Sequence, residues 1–382
     1  MIGIFVEVSP LLEITYTGIP NVTLGLAECW LRHRGLEVFF ISGSYVLDRG
    51  SVERAIRLRT GAVLRCEIDS GAGVVNQTLA AVARCERSAA IFPNVKTIHN
   101  AFDLEYQIVH DISFLITPEF HHADTIRYHG YTLFRDLASN TRTICVSDAT
   151  RSDVLAYCQL PPERVVTVYS GFDRTDLRDL QAAVRSGIAA RRVQEPYVVV
   201  PGTIEPRKNG ALVLEFLKEN PDVLDRYRFI FFGRPGWLTD FHEVASRYGV
   251  AGAVRSGRLR WLKYVSDLER QFLFSNATFT LYPSMFEGFG LPVGEAMAAG
   301  CPVICSYSSG IPEAGGDAAF YFDPLDWRSL AAAFAAAERA RAQSPKALAQ
   351  ACRRQAAKFT WKRFSEQIEA LVLGDLGVAR AA

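Results

Sequence analysis

The 382-residue chain has almost no net charge: 42 Lys and Arg against 41 Asp and Glu leave a formal +1. No strong field therefore draws it toward nucleic acid. It has no uninterrupted apolar run of about 18 residues, so a membrane-spanning helix is not expected. Its start, MIGIFVEVSP, lacks the basic n-region of a signal peptide. Eight cysteines occur without a Cys-x-x-Cys pair, and several lie in apolar runs such as TICVS (143–147) and CPVIC (301–305). They read as buried thiols in a reducing compartment. A cytoplasmic protein is expected, with peripheral membrane contact left open.

What is present is an alternation. IGIFVEV (2–8) and EVFFIS (37–42) read as buried strands around a helix that runs to about Arg34 and stops at Gly35. QIVHD (107–111), TICVS (143–147) and VVTVYS (165–170) continue the series, with Ser147 as a helix N-cap. Residues 174–194 are rich in Ala and Arg and read as a helical connection. A second series follows: PYVVVPG (196–202), RFIFFG (228–233), RLRWLKY (258–264), TFTLYPS (278–284) and PVICS (302–306). The stretch from Trp327 to about Phe359 and the tail 361–373 read as helical. The fold class is α/β, with two Rossmann-like, doubly wound parallel sheets in tandem. The chain is also too long for one ordinary core. Ligands in such folds sit beyond the carboxyl ends of the strands, here in a cleft between two facing domains.

Three stretches at strand ends carry chemistry. The first is Phe286-Glu287-Gly288-Phe289-Gly290-Leu291-Pro292-Val293-Gly294-Glu295. Gly288 and Gly290 permit backbone angles that other residues resist. Pro292 starts and Gly300 ends a helix over about 291–299, whose N-terminus forms an anion site. Glu287 and Glu295 would repel a phosphate, so they read as acceptors for hydroxyl groups. Taken alone they also fit a solvated loop acid and a first-turn acid. The Gly288-x-Gly290-x-x-x-Gly294 spacing resembles a dinucleotide fingerprint, but it is one residue too long, lies late in the chain and has Pro in the first turn.

The second stretch is Gly202-Thr203-Ile204-Glu205-Pro206-Arg207-Lys208-Asn209. Arg207 offers a planar fork and Lys208 a compact charge, a fair diphosphate clamp. The third is Val109-His110-Asp111. His110 ends a first-domain strand and is a candidate hydrogen-bonding partner for a sugar hydroxyl. Gly18, in the loop after the first strand, is a candidate donor of backbone N–H groups to the phosphates. Together these residues fit a diphosphate bridging polyhydroxylated rings, a sugar nucleotide.

The set GT-x-EPRKN (202–209), FEGFGLPVGEA (286–296) and VHDISFL (109–115) resembles the family 4 glycosyltransferases. ICVSDATRSDVL (144–155), VYSGFD (168–173) and GIPEAGGDAAFYFDP (310–324) follow the same pattern, in order. The wording HDISFL-x-x-PEFH is most like bacterial mannosyltransferases that use GDP-mannose. The resemblance implies the GT-B architecture: an acceptor-side domain over 1–175, a nucleotide-sugar domain over 193–360, and a final helix within 361–382 returning to the first.

It also implies retaining, metal-independent transfer, with no cofactor beyond the donor substrate. Arg207 and Lys208 would hold the diphosphate, aided by Gly18, Gly288, Phe289, Gly290 and Leu291. Glu295 would bind the ribose, and Glu287 and His110 would contact the sugar near the reacting carbon as the catalytic pair. The absence of Asp-x-Asp agrees with that implication, and the first loop departs from many members in having one glycine, Gly18. The implied acceptor is a saccharide or lipid-linked saccharide. The alternatives are a UDP-sugar donor and a non-catalytic sugar-nucleotide-binding protein.

Overall fold

The computed structural model describes residues 1–14, 16, 18–33, 35–172, 195–236 and 240–378. The expected connection over 174–194 lies outside them. Contacts divide the chain into two compact units, Met1–Gly171 with Thr360–Ala382, and Phe172–Phe359.

Unit 1 holds an eight-stranded sheet. Its strands are β1 (Ile2–Glu7), β2 (Glu37–Ser42), β3 (Tyr45–Leu47), β4 (Val74–Gln77), β5 (Arg87–Phe92), β6 (Leu104–Val109), β7 (Arg142–Cys145) and β8 (Val165–Thr167). The order is β4-β3-β2-β1-β5-β6-β7-β8. All pairs are parallel except β2–β3 and β3–β4. β1 pairs with β2 on one side and β5 on the other. Strand order therefore reverses between β1 and β5, the switch point where doubly wound sheets open a crevice at their carboxyl ends.

The last helix, Trp361–Leu376, belongs to this unit. Asp375 accepts hydrogen bonds from Arg142 at 2.8 and 3.0 Å and from the Tyr106 hydroxyl at 3.0 Å. Ser365 Oγ donates to the Gly25 carbonyl at 3.0 Å. Gly25 has no side chain because the Trp361 indole lies against it, 2.6 Å from where a Cβ would stand.

Unit 2 holds a six-stranded parallel sheet: β9 (Tyr197–Pro201), β10 (Arg228–Phe232), β11 (Leu259–Leu262), β12 (Phe279–Tyr282), β13 (Val303–Ser306) and β14 (Phe320–Phe322). Its order is β11-β10-β9-β12-β13-β14, and the switch point falls between β9 and β12. β9, β12 and β13 are buried on both faces, which is why they read as continuous apolar runs. Val198, Val200, Phe229, Phe231, Phe279 and Leu281 pack against Val213 and Phe216 of one helix and Leu330 and Phe334 of another. Each such side chain contributes about 1.5–3 kcal/mol through burial.

Several boundaries differ from the sequence reading. β6 ends at Val109, so His110 and Asp111 stand just beyond the strand rather than in it. The helical stretch from Trp327 is two helices, Trp327–Gln343 and Pro345–Ala356, because Pro345 cannot continue the first. Of the cysteines, Cys145, Cys301, Cys305 and Cys352 are buried as expected, whereas Cys66 is exposed.

Candidate functional site

The two motifs of unit 2 leave adjacent strands at its switch point. Gly202–Asn209 follows β9, and Ser284–Gly290 follows β12. They are tied together through the backbone: Met285 N–H donates to the Arg207 carbonyl at 2.8 Å, and Ser284 Oγ lies 3.2 Å from the same carbonyl. Pro206–Lys208 forms a short 3-10 turn, and Asn209 turns the chain through φ 53° into the helix Gly210–Glu219.

The side chains converge on one carboxylate. Lys208 Nζ lies 2.5 Å from Glu287 Oε1, and Arg207 Nη1 lies 3.2 Å from the same oxygen. Ser284 Oγ donates to that oxygen as well. Arg207 also donates to the Phe286 carbonyl at 2.7 Å and to Glu205 at 3.0 Å. Lys208 lies 5.6 Å from the centre of the Tyr282 ring and 3.3 Å from its hydroxyl. Burial pushes the Glu287 carboxyl up, but the Lys208 and Arg207 charges and the Lys208 and Ser284 hydrogen bonds outweigh it and hold the pKa at about 2. Burial, with the Glu287 charge adding to it, raises Tyr282 well above its ordinary value. Its hydroxyl therefore stays protonated.

The sequence reading gave Glu287 to sugar hydroxyls and did not pair it with Arg207 and Lys208. In the structure it neutralises both cations, because two part-buried positive charges without an anion between them would be strongly unfavourable. With Glu205 included, the four charged groups sum to zero.

The helix Leu291–Ala299 runs as expected, from Gly290 at φ 99° to Gly300 at φ 85°. Gly290 is the N-cap and supplies no side chain to it, so the helix tip presents backbone rather than a capping hydroxyl. Gly288, however, is not among the glycines of positive φ. It matters by proximity: a Cβ on Gly310 would meet the Gly288 carbonyl at 2.1 Å. The Phe289 ring is buried, stacked on Phe172 at 5.5 Å and edge-on to Phe359 at 5.2 Å. Only the Phe289 backbone is available to a ligand; its side chain is core. Glu295 is buried, with Arg270 Nε 3.4 Å from Oε2.

Sequence reasoning missed the residues that hold this loop. Ser306, the last residue of β13, and Ser308 and Ser309, from the turn after it, donate to the carbonyls of Ser284, Met285 and Glu287. Their signal was SYSSG (306–310) directly after a strand. Arg270 also escaped notice, because a helical arginine eight residues from a strand carries no motif.

His110 and Gly18 lie in unit 1. His110 Nε2 is 2.7 Å from the Pro93 carbonyl. A carbonyl only accepts, so Nε2 carries the proton and the neutral ring keeps Nδ1 as an acceptor. Burial lowers the pKa of His110 below the ordinary imidazole value, against the Pro93 and Asp111 contributions. Gly18, at φ 46°, is the N-cap of the helix Ile19–Arg32, and its carbonyl accepts from Asn21 and Val22.

Residues 186–359 match the family model described as glycosyl transferases group 1. The chain is 34% identical over 226 residues to the O-antigen chain mannosyltransferase B of Escherichia coli, covering 58% of each protein. It is 25% identical over 203 residues to the O-antigen chain mannosyltransferase RfbU of Salmonella typhimurium, covering 53% of this chain and 52% of that one. The chain thus spans about half the length of these curated relatives. Among solved structures it is similar to WaaG, a glycosyltransferase involved in lipopolysaccharide biosynthesis. The TM-score there is 0.64 at 14% identity, covering 98% of this chain and 100% of that one. The fold is that of the GT-B glycosyltransferases.

Proposed function

We propose that the chain, whose residues 186–359 carry a glycosyl transferases group 1 domain, is a hexosyltransferase. It moves mannose from GDP-mannose to a saccharide or lipid-linked saccharide acceptor, with retained configuration. The observation that carries this reading is the Arg207–Lys208–Glu287 cluster at the switch point of unit 2. The mannosyl donor is supported by the relatives in Escherichia coli and Salmonella typhimurium, both named as mannosyltransferases. Eight cysteines without a disulfide support a cytoplasmic setting. No helix among the described residues is long and apolar enough to cross a membrane.

In the reaction the bond from the anomeric carbon to the β-phosphate oxygen breaks, and a bond to an acceptor hydroxyl oxygen forms. The acceptor's proton passes to the departing diphosphate. Negative charge grows on that diphosphate, where Arg207, Lys208 and the tip of the Leu291–Ala299 helix are already set to receive it. Each charge-assisted hydrogen bond there contributes about 1.5–3 kcal/mol. Glu287, displaced from Lys208 by phosphate oxygens, becomes an acceptor for sugar hydroxyls. Glu295 accepts from the ribose, and His110 Nδ1 accepts from a sugar hydroxyl. No cofactor or metal takes part in the proposed chemistry.

The test is direct. The protein is incubated with GDP-mannose and a mannose-terminated acceptor, with and without a chelator, and GDP release and product configuration are followed by NMR. The expected result is a product with the donor's anomeric configuration, formed at the same rate in both samples. Consumption of a UDP-sugar in place of GDP-mannose, or an inverted product, would overturn the reading.

A further inference from the structure

Beneath the loop that follows β5 in unit 1 lies a buried polar network with no part in the chemistry above. Lys96 is 1% exposed, Glu105 2%, Gln107 3%, Asp136 0% and Asn140 3%. Lys96 Nζ donates to Glu105, to Ser139 Oγ at 2.6 Å and to Asn140 Oδ1 at 3.0 Å. Asp136 accepts from the Lys96 backbone N–H at 2.9 Å and from Gln107 Nε2 at 3.0 Å, and His99 Nε2 lies 2.6 Å from its other oxygen. Placing an ammonium and a carboxylate out of water is unfavourable by several kcal/mol per ion, and an apolar filling is often at least as stable. Stability alone therefore does not account for this cluster.

Its geometry does. Gln107 is held on both sides of its amide: Oε1 accepts from Asn140 Nδ2 at 3.1 Å, and Nε2 donates to Asp136. The same Nε2 donates to the Asn94 carbonyl at 3.2 Å. The loop 93–96 is thus pinned at Asn94 by Gln107 and at Lys96 by Asp136. The residue before Asn94 is Pro93, whose carbonyl accepts from His110 Nε2. The position of that one carbonyl selects both the tautomer and the ring orientation of His110. It lies at the end of β5, beside the β1–β5 switch point.

We infer that Gln107 and Asp136 are positioning residues for His110: by fixing the 93–96 loop they hold the Pro93 carbonyl where it keeps the imidazole proton on Nε2 and Nδ1 open to a substrate hydroxyl. This rests on the reading of His110 given above, and the experiment separates the two.

Histidine ring nitrogens of the full-length protein are observed by long-range proton–nitrogen correlation above the imidazole titration, with His110→Ala used to assign His110. The wild type shows one tautomer, protonated at Nε2. In Gln107→Leu the two His110 nitrogen shifts converge as both tautomers become populated. kcat/KM for mannosyl transfer falls at least about tenfold through misplacement of the ring, while GDP affinity is unchanged. Asp136→Asn, which keeps the shape of the side chain, shifts His110 in the same direction and stands in if Gln107→Leu does not fold. An unmoved Nε2–H signature in a folded variant overturns the inference. A moved signature with full transfer activity in both Gln107→Leu and His110→Ala leaves the positioning intact and refutes the substrate role of His110.

Discussion

Glu287 shows how much one carboxylate can be asked to do. It is buried, bonded to Ser284 and shared by Lys208 and Arg207. Its folded pKa of about 2 lies below the ordinary 4.5, so its ionised form is favoured by folding. A depressed carboxylate contributes stability that is full above its unfolded pKa and lost as pH falls toward the folded one. The window therefore runs from about 4.5 down to about 2. The contribution is on the order of 3 kcal/mol, at about 1.4 kcal/mol per pKa unit. Denaturant unfolding of wild type and Glu287→Gln from pH 7 to pH 3 should show a wild-type advantage that shrinks across this window. An advantage independent of pH would contradict it. The pairing also means that Glu287→Ala is not a silent probe of activity, because it strands two cations in a partly buried site. The residue types here were legible in EPRKN and FEG, but their mutual neutralisation was not. Spacing along a chain says which groups leave adjacent strand ends, not which of them meet.

At the scale of the element, the Leu291–Ala299 helix repeats its sequence signals faithfully at both ends, while its middle hides a packing constraint. Gly294 lies inside the helix, where alanine is favoured by about 1 kcal/mol on propensity. A Cβ there would stand 2.0 Å from the Phe172 ring, itself stacked on Phe289. Overpacking of this kind costs about 1–3 kcal/mol and wins. Gly294→Ala is thus expected to lower the midpoint of chemical unfolding; a rise would show that the aromatic stack yields freely. The apolar strands of unit 2 were readable because both faces are buried. β5 was missed because its centre, Ala89-Ala90, has little β-forming character although both residues are fully buried beside β1. β3, β4 and β14 were missed because three- and four-residue strands carry too short a pattern.

For the whole molecule, two largely parallel sheets place both sets of candidate residues beyond carboxyl ends of strands, in unit 2 at the reversal of strand order. That placement followed from the strand–helix alternation in the sequence. The strand order and the serines stitching the β12 and β13 turns required the fold. Arg207 and Lys208 are proposed to form a diphosphate clamp held in readiness by Glu287. Calorimetric titration of GDP, which lacks the sugar, isolates that clamp. Lys208→Met should weaken GDP binding at least about tenfold, since one charge-assisted hydrogen bond is worth about 1.5–3 kcal/mol. Glu287→Gln, which removes the internal competitor, should bind GDP as tightly as the wild type or more tightly. Unchanged affinity in Lys208→Met, or a parallel loss in Glu287→Gln, would contradict the account.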